Sequence, residues 1–587
     1  VLKSGRGIMN FYDYFHNKIN NILQELLHKN NVQITKELFF AVETPKNEAH
    51  GDVSTNVAMV YCKSFNMSPL VLAEIFKEEI SKIKEIKLVE VVKPGFINMI
   101  IAEEFWQSAY KDVLKAGKTY AKNSASNKEN INLEFVSANP TGPMHIGHGR
   151  GAVVGDVLAS VYSYLGHKLT KEYYVNDAGN QVEVLGKSLY FRYMEALGKN
   201  IKQEDEFYPG DYLVKVAKDL VKQDGEKWVN TKEEEYLPHM KAYAISAMLK
   251  LIKEDLSLIN INHDIFSSEK EIANDEEYKK TLKVLSDKGL IYLGTLTPPK
   301  GKVIEDFEPR EQKLFKSTLF GDDTDRPLEK SSGERTYFAN DVVYHHNKIN
   351  RGFSKLINIW GADHIGYIKR VESAVDALSL GKVKLLVVCC QLINLLDNGT
   401  PVRMSKRAGN FVTLKDLVDD VGADIFRFMM ITRKNEVTLD FDLAKVKEQT
   451  SDNPLYYIQY AYARVCSVIK NAKQEFPNID DEKIKNADLS YLLDPQEILL
   501  MKSVLKLPKS LENTLEHNDP HRLYLFLLDV SQGFHGLWNK GKESENLRFV
   551  VKNNENLTIA RLALLQGVAN VIAIVTQILG VNIKENM

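Results

Sequence analysis

From Asn10 to Asn30 the apolar side chains Phe11, Phe15, Ile19, Ile22, Leu23, Leu26 and Leu27 recur at helical spacing, so the chain opens with an amphipathic helix. Gly51-Asp52 reads as a turn, and Ser68-Pro69 as an N-cap with proline at the first helical position. Strand-like KLVEVVKPGFINMII then closes a compact α+β unit, set at residues 9–117, and residues 118–130, rich in Lys, Asn and Ser, are the expected linker. INLEFVS is a short strand that breaks at Asn139-Pro140 and Gly142-Pro143 and re-enters as a helix through GAVVGDVLASVYSYL. LINIWGADH and KLLVVCCQLI read as buried strands, and strand and helix patterns alternate around them. Residues 131–445 are therefore expected to form an α/β core, a parallel sheet flanked by helices. Between 185 and 264 the pattern turns helical and polar, an insertion into that sheet, with His263 read as a surface residue. Gly, Pro and Asp from Thr295 to Gly333 predict hairpins and loops, with Asp322, Asp323 and Asp325 in a solvated acidic turn. From 446 to 587 helical patterns with few strand signals predict an all-helical bundle.

A chain of 587 residues is too long for one core, and about 150 residues per domain gives three or four. Hydrophobic residues at 44% and charged residues at 26% exclude disorder on a large scale. The cysteines are Cys62, Cys389, Cys390 and Cys466, without a CxxC pair, which supports neither a disulfide framework nor zinc and points to a reducing cytoplasm. The eight residues before Met9 lack the apolar core of a secretory signal. They read as an addition to a chain that starts at Met9, which an intact-mass comparison with natural protein decides. Leu562 to Ile583 is long enough to span a bilayer, but Gln566, Asn570 and Gln577 fall on one helical face and mark an amphipathic packing helix. The net charge of −2 gives no sign of nucleic acid, so any such contact must come from local patches.

The chemistry is densest in EFVSANPTGPMHIGHGR, from Glu134 to Arg150. A strand, a tight loop and a helix N-terminus make a phosphate site, through free backbone N–H groups and the positive end of the helix dipole. His145 and His148 add donors, and Gly147, without a Cβ, admits a flat base or ribose. A lone HxxH is more often two surface histidines. Here HIGH at 145–148 resembles the ATP-binding motif of class I aminoacyl-tRNA synthetases. The longer run, together with EYYVNDAGNQVEVLG at 172–186, HGDVSTNVAM and PGFIN, resembles the arginyl-tRNA synthetase family of bacterial type. VRMSKRAGNFVTL at 402–414 resembles the KMSKS loop of that class, with Arg403 for the first Lys, Arg407 for the final Ser, and Met404, Ser405 and Lys406 kept. Both replacements keep or add positive charge.

The resemblance implies a Rossmann-type catalytic core with an insertion, an N-terminal additional domain that contacts tRNA, and a C-terminal anticodon-binding domain. It implies a ligase that activates L-arginine with ATP, accompanied by Mg²⁺, and transfers it to the 2′-hydroxyl of the last adenosine of tRNA(Arg). The family's arginine site maps onto Glu134, Asn139, Tyr337 and Asp341, with the E-x4-N and Y-x3-D spacings intact. Asp363 and His364 fall near the adenosine. His145 and His148 serve the α-phosphate and ribose end, and Lys406, helped by Arg403 and Arg407, the leaving pyrophosphate. Tyr460 and Trp538 are the candidate base contacts, although aromatic residues at helical spacing more often belong to a core. No zinc, no membrane and a monomer are expected. A cofactor adenylyltransferase of the same fold would not need the added N- and C-terminal domains. A non-catalytic tRNA-binding paralogue would not need both ends of a triphosphate site.

Overall fold

The structure, a computed structural model, describes residues 3–4, 7–34, 36, 38–45, 47–201, 206–296, 310–402, 412–450 and 452–586. The opening helix, Phe11–Lys29, buries the apolar stripe read from the sequence, and Asn10 caps it by accepting from the Asp13 N–H. It packs against a four-stranded antiparallel sheet and the helix Pro69–Ile80, whose N-cap is Ser68 with Pro69 at the first position.

The core is a five-stranded parallel sheet of β1 (Asn130–Glu134), β2 (Lys168–Val175), β3 (Ile265–Ser268), β4 (Lys355–Gly361) and β5 (Lys384–Cys390), in the order β5-β4-β1-β2-β3. The order reverses between β1 and β4, and the crevice at their C-terminal ends is where such sheets bind ligands. Helix Ile146–Leu165 crosses from β1 to β2. Helices Asn180–Ala196, Tyr212–Asp224 and Glu233–Leu258 form a separate apolar cluster between β2 and β3, the expected insertion.

The acidic turn is not simply solvated. Asp322 is buried and receives two Arg326 hydrogen bonds at 2.8 Å, because a carboxylate beside a guanidinium in a tight turn is better paired than hydrated.

The C-terminal bundle is built on Pro454–Glu475, Pro495–Leu505, Leu507–His517, His521–Glu543 and Glu555–Leu579. The last helix does pack, and it packs at the centre of the bundle. Even Asn570 is buried, and a buried Arg561–Glu497 pair at 2.6 Å anchors its first turns. That burial on nearly every side explains a stretch apolar enough to cross a membrane by length and composition. The same helix holds the other units together. Tyr110 of helix Glu103–Ala116 donates to Leu564 O at 2.6 Å. Arg427, 1% exposed, donates to Leu579 O, to Ile259 O at the end of the insertion, and to Asp156 on the helix Ile146–Leu165, each at 2.7 Å.

Candidate active site

A crevice of about 560 Å³ opens at the switch point of the sheet. Glu134, Asn139, Tyr337, Asp341 and His364 all line it, so the structure gathers the four residues expected to hold arginine and one of the two expected near adenosine. Tyr337 and Asp341 arrive together because they are one turn apart on the helix Tyr337–Asn350, whose N-cap Thr336 accepts from Ala339 N–H. The same face continues through Tyr344, His345 and Lys348. Asp363 and His364 are exposed in the turn after β4, with Oδ2 and Nε2 3.5 Å apart.

The carboxylates Glu134, Asp341 and Glu269 line the crevice, with Glu172 beside the first. Glu134 is buried and occupied: Lys348 Nζ donates to it at 2.6 Å and Ser137 Oγ at 3.1 Å. Beside it in register, Glu172 takes two hydrogen bonds from Arg351 at 2.9 and 2.7 Å. Burial pushes the Glu172 carboxyl up, but Lys348 and Arg351 outweigh this and hold it below the usual range. Asp341 has a Tyr367 hydroxyl at 2.5 Å and no ion pair among the described residues. Burial, with Glu134 and Glu269 adding repulsion, pushes it up to about 7. Glu269, buried at the start of the short helix after β3, accepts from Asn340 Nδ2 at 2.8 Å.

Sequence reasoning missed Glu269 and Lys348. No spacing joins Glu269 to Asp341, since only the sheet order brings β3 beside β2. Lys348 was legible as one face of a helix, three turns beyond Tyr337.

Lys348 also fixes the protons beneath the pocket. Its ammonium only donates, so Asn358 presents Oδ1 to it at 3.2 Å and Nδ2 to His345 Nε2 at 3.0 Å. His345 therefore carries its proton on Nδ1 and donates it to Asp341 O at 2.8 Å, and burial lowers its pKa to about 3.

At the nucleotide end, the free N–H groups expected in the first turn are partly taken by the histidines themselves. Gly147 N–H donates to His145 Nδ1 at 3.1 Å and His145 N–H to His148 Nδ1 at 3.3 Å, and the two rings stack at 3.8 Å. A Cβ on Gly147 would lie 2.9 Å from the His145 ring, so the glycine first makes room for that histidine. Arg403, Met404, Ser405, Lys406 and Arg407 lie outside the described residues. Their C-terminal flank is placed: Thr413 bridges His145 and Leu414 N–H donates to Met144 O at 2.8 Å, so these two residues lie directly against the first motif.

In the bundle, Tyr460 and Trp538 both lie against Arg464, whose guanidinium carbon is 4.0 Å from the first ring centre and 4.9 Å from the second. Arg464 was also missed, although it lies one turn after Tyr460.

Comparisons with known proteins assign the class first. Residues 110–465 match the family model for tRNA synthetases class I (R), catalytic domain, in agreement with HIGH at the sheet's switch point. Residues 13–101 match the arginyl tRNA synthetase N terminal domain, and residues 458–587 the DALR anticodon binding domain. The arginine–tRNA ligase of Azorhizobium caulinodans is 46% identical over 551 residues, 93% of this chain and 94% of that relative. That of Parvibaculum lavamentivorans is 45% identical over 99% of this chain and 100% of its own. The Thermus thermophilus arginyl-tRNA synthetase structure, 17% identical, superposes with a TM-score of 0.72 over 97% of this chain and 100% of its own, which shows the shared fold. The chain belongs to the arginyl-tRNA synthetase family.

Proposed function

We infer that the chain is an arginine–tRNA ligase: it activates L-arginine with ATP and transfers it to tRNA(Arg). The observation that carries the arginine reading is the pocket itself. Two carboxylates, half-buried Asp341 and buried Glu269, face it without an ion-pair partner among the described residues, while Glu134 is already matched by Lys348. A planar, permanently charged fork suits such a pair of acceptors, and a lysine ammonium does not. Glu134, Asn139 and Tyr337 complete the rim.

The first step is attack of the arginine carboxylate on the α-phosphorus of ATP, which forms arginyl-adenylate and releases pyrophosphate. The nucleophile is ionised at pH 7, so positioning and charge compensation are what the protein supplies. His145 and His148 serve the α-phosphate and ribose, where the phosphates displace the histidines' hold on the helix N-terminus. Gly147, Asp363 and His364 line the nucleoside. Lys406, with Arg403, Met404, Ser405 and Arg407, closes on the leaving pyrophosphate. A tRNA hydroxyl then displaces AMP. Mg²⁺ would accompany the triphosphate and offset its charge. Among the described residues no three His, Cys, Asp or Glu converge on one point. Residues 9–117 and 446–587 are the tRNA-binding units, joined by the linker 118–130 to the catalytic residues 131–445 with their insertion at 185–264. The protein works as a cytoplasmic monomer.

Arginine-dependent exchange of pyrophosphate into ATP, with and without tRNA(Arg), tests the reading. Exchange is expected, and Lys406→Ala should lower its rate by about 10²-fold or more with arginine binding retained. Tight tRNA binding with no exchange under either condition would instead favour a non-catalytic paralogue.

On the bundle, the Tyr460–Arg464–Trp538 stack combines a cation with aromatic faces, as single-stranded RNA readers do. Arg464→Ala is expected to weaken tRNA(Arg) binding about tenfold in a filter assay without changing exchange at saturating tRNA; unchanged affinity would assign the stack to the core.

A further inference from the structure

The loop from β1 to the helix Ile146–Leu165 has few means of holding its own shape. Pro140 and Pro143 have no N–H to donate. Val136 and Ser137 sit at φ 69° and 42°, a left-handed backbone that a β-branched residue adopts only where its surroundings impose it. The loop is held from outside. His263 Nε2 donates to Phe135 O at 3.2 Å, Tyr173 Oη to Ala138 O at 2.7 Å and Tyr212 Oη to Thr141 O at 2.7 Å, while Met144 N–H donates to Asp255 Oδ2 at 2.9 Å. His263 is thus a half-buried strut and not the surface residue its sequence context implied. A Cβ on Gly142 would lie 3.1 Å from the Tyr212 ring, so the phenol rests directly on the loop, and Asp255 is 6% exposed.

Three of these four struts, Tyr212, Asp255 and His263, come from the segment inserted between β2 and β3. Tyr212 acts two residues after Asn139, at the arginine end, and Asp255 one residue before His145, at the nucleotide end. We propose that Tyr212 and Asp255 are positioning residues for adenylate formation, through which the inserted helices set His145 and Asn139 relative to each other. The proposal rests on the arginine–tRNA ligase reading. It makes the insertion part of the catalytic mould and gives Asp255 its role through an acceptor oxygen, not through its charge.

The test measures arginine-dependent pyrophosphate exchange at saturating tRNA for Asp255→Ala, Asp255→Asn and Tyr212→Phe, with arginine affinity by calorimetry, melting temperature, and hydrogen exchange across residues 136–145. A displacement of the loop by even 1 Å is worth on the order of 100-fold in rate. Asp255→Ala is expected to lose about that much kcat, to raise KM for ATP, to keep its arginine affinity within about threefold and to lose amide protection in the loop. Asp255→Asn, whose Oδ1 still accepts, should restore exchange to within about threefold of wild type, and Tyr212→Phe should lose about tenfold. The proposal is overturned if Asp255→Ala lowers only the melting temperature, if Asp255→Asn is as slow as Asp255→Ala, or if Tyr212→Phe exchanges at the wild-type rate. Absence of exchange in the wild-type protein overturns the ligase reading itself, and shows before any substitution is made.

Discussion

Asp341→Asn is expected to weaken arginine binding by about 10²- to 10³-fold while ATP binding stays within a few-fold, because removing one partner of a desolvated charge pair costs about 2–5 kcal/mol. Equal losses for both ligands in calorimetry would count against the assignment. The same substitution should stabilise the empty protein. Asp341 has a folded pKa near 7, above its ordinary 3.8. A carboxyl raised in this way contributes stability that is complete below about pH 4 and is lost as pH rises through about 7. The gap is worth about 2–4 kcal/mol. Melting curves of Asp341→Asn and wild type should therefore coincide near pH 4 and separate above pH 7, with the variant higher. Arginine affinity of the wild type should move the opposite way. Glu134 and Glu269 raise Asp341, Lys348 and the Tyr367 hydroxyl oppose them, and the net proton on Asp341 competes with the guanidinium as pH falls from about 8 to 6. A pH-independent arginine affinity across that range would remove Asp341 from the role.

Lys348→Met is expected to destabilise the catalytic core by about 3–5 kcal/mol, since it leaves Glu134 as an uncompensated buried carboxylate. The pair is shut away, with side-chain exposures of 0% for Lys348 and 8% for Glu134. Its loss also frees Asn358 and with it the His345 proton that supports Asp341 O. Adding Glu134→Gln to Lys348→Met should recover most of the stability but not the arginine affinity, because the floor of the pocket is still unpinned. A double variant as unstable as Lys348→Met, measured by denaturant midpoint, would show that Lys348 matters through packing alone.

Local pattern was enough for the elements that carry the motifs. β1, the two proline breaks and the helix Ile146–Leu165 could be read as written, and the Tyr337–Asp341 spacing already put both residues on one face. Long-range order was not legible. Glu269 joins the pocket only because β3 lies next to β2. His263 has no periodic signal, and a polar residue near a helix end looks solvent-exposed until Phe135 and Tyr173 close over it. For the C-terminal helix the pattern was right in kind and short in degree. Its three amides marked it as a packing helix, as it is, but not how deeply it packs: Asn570 is buried inside the bundle, and of the three only Gln577 is exposed. Identifying arginine as substrate needed the resemblance, since carboxylates at those spacings occur in many helices.

Helix Glu555–Leu579 leaves the ribosome after the elements it joins, and Tyr110, Asp156 and Arg427 complete their partnerships through it or beside its end. At about 5–20 residues per second, the earlier helices wait on the order of tens of seconds for it. During that wait the apolar faces it will cover are open to chaperones and to each other. A chain that stops short of this helix carries both signature motifs but leaves open the apolar faces that the helix buries, a product expected to be degraded rather than partly active.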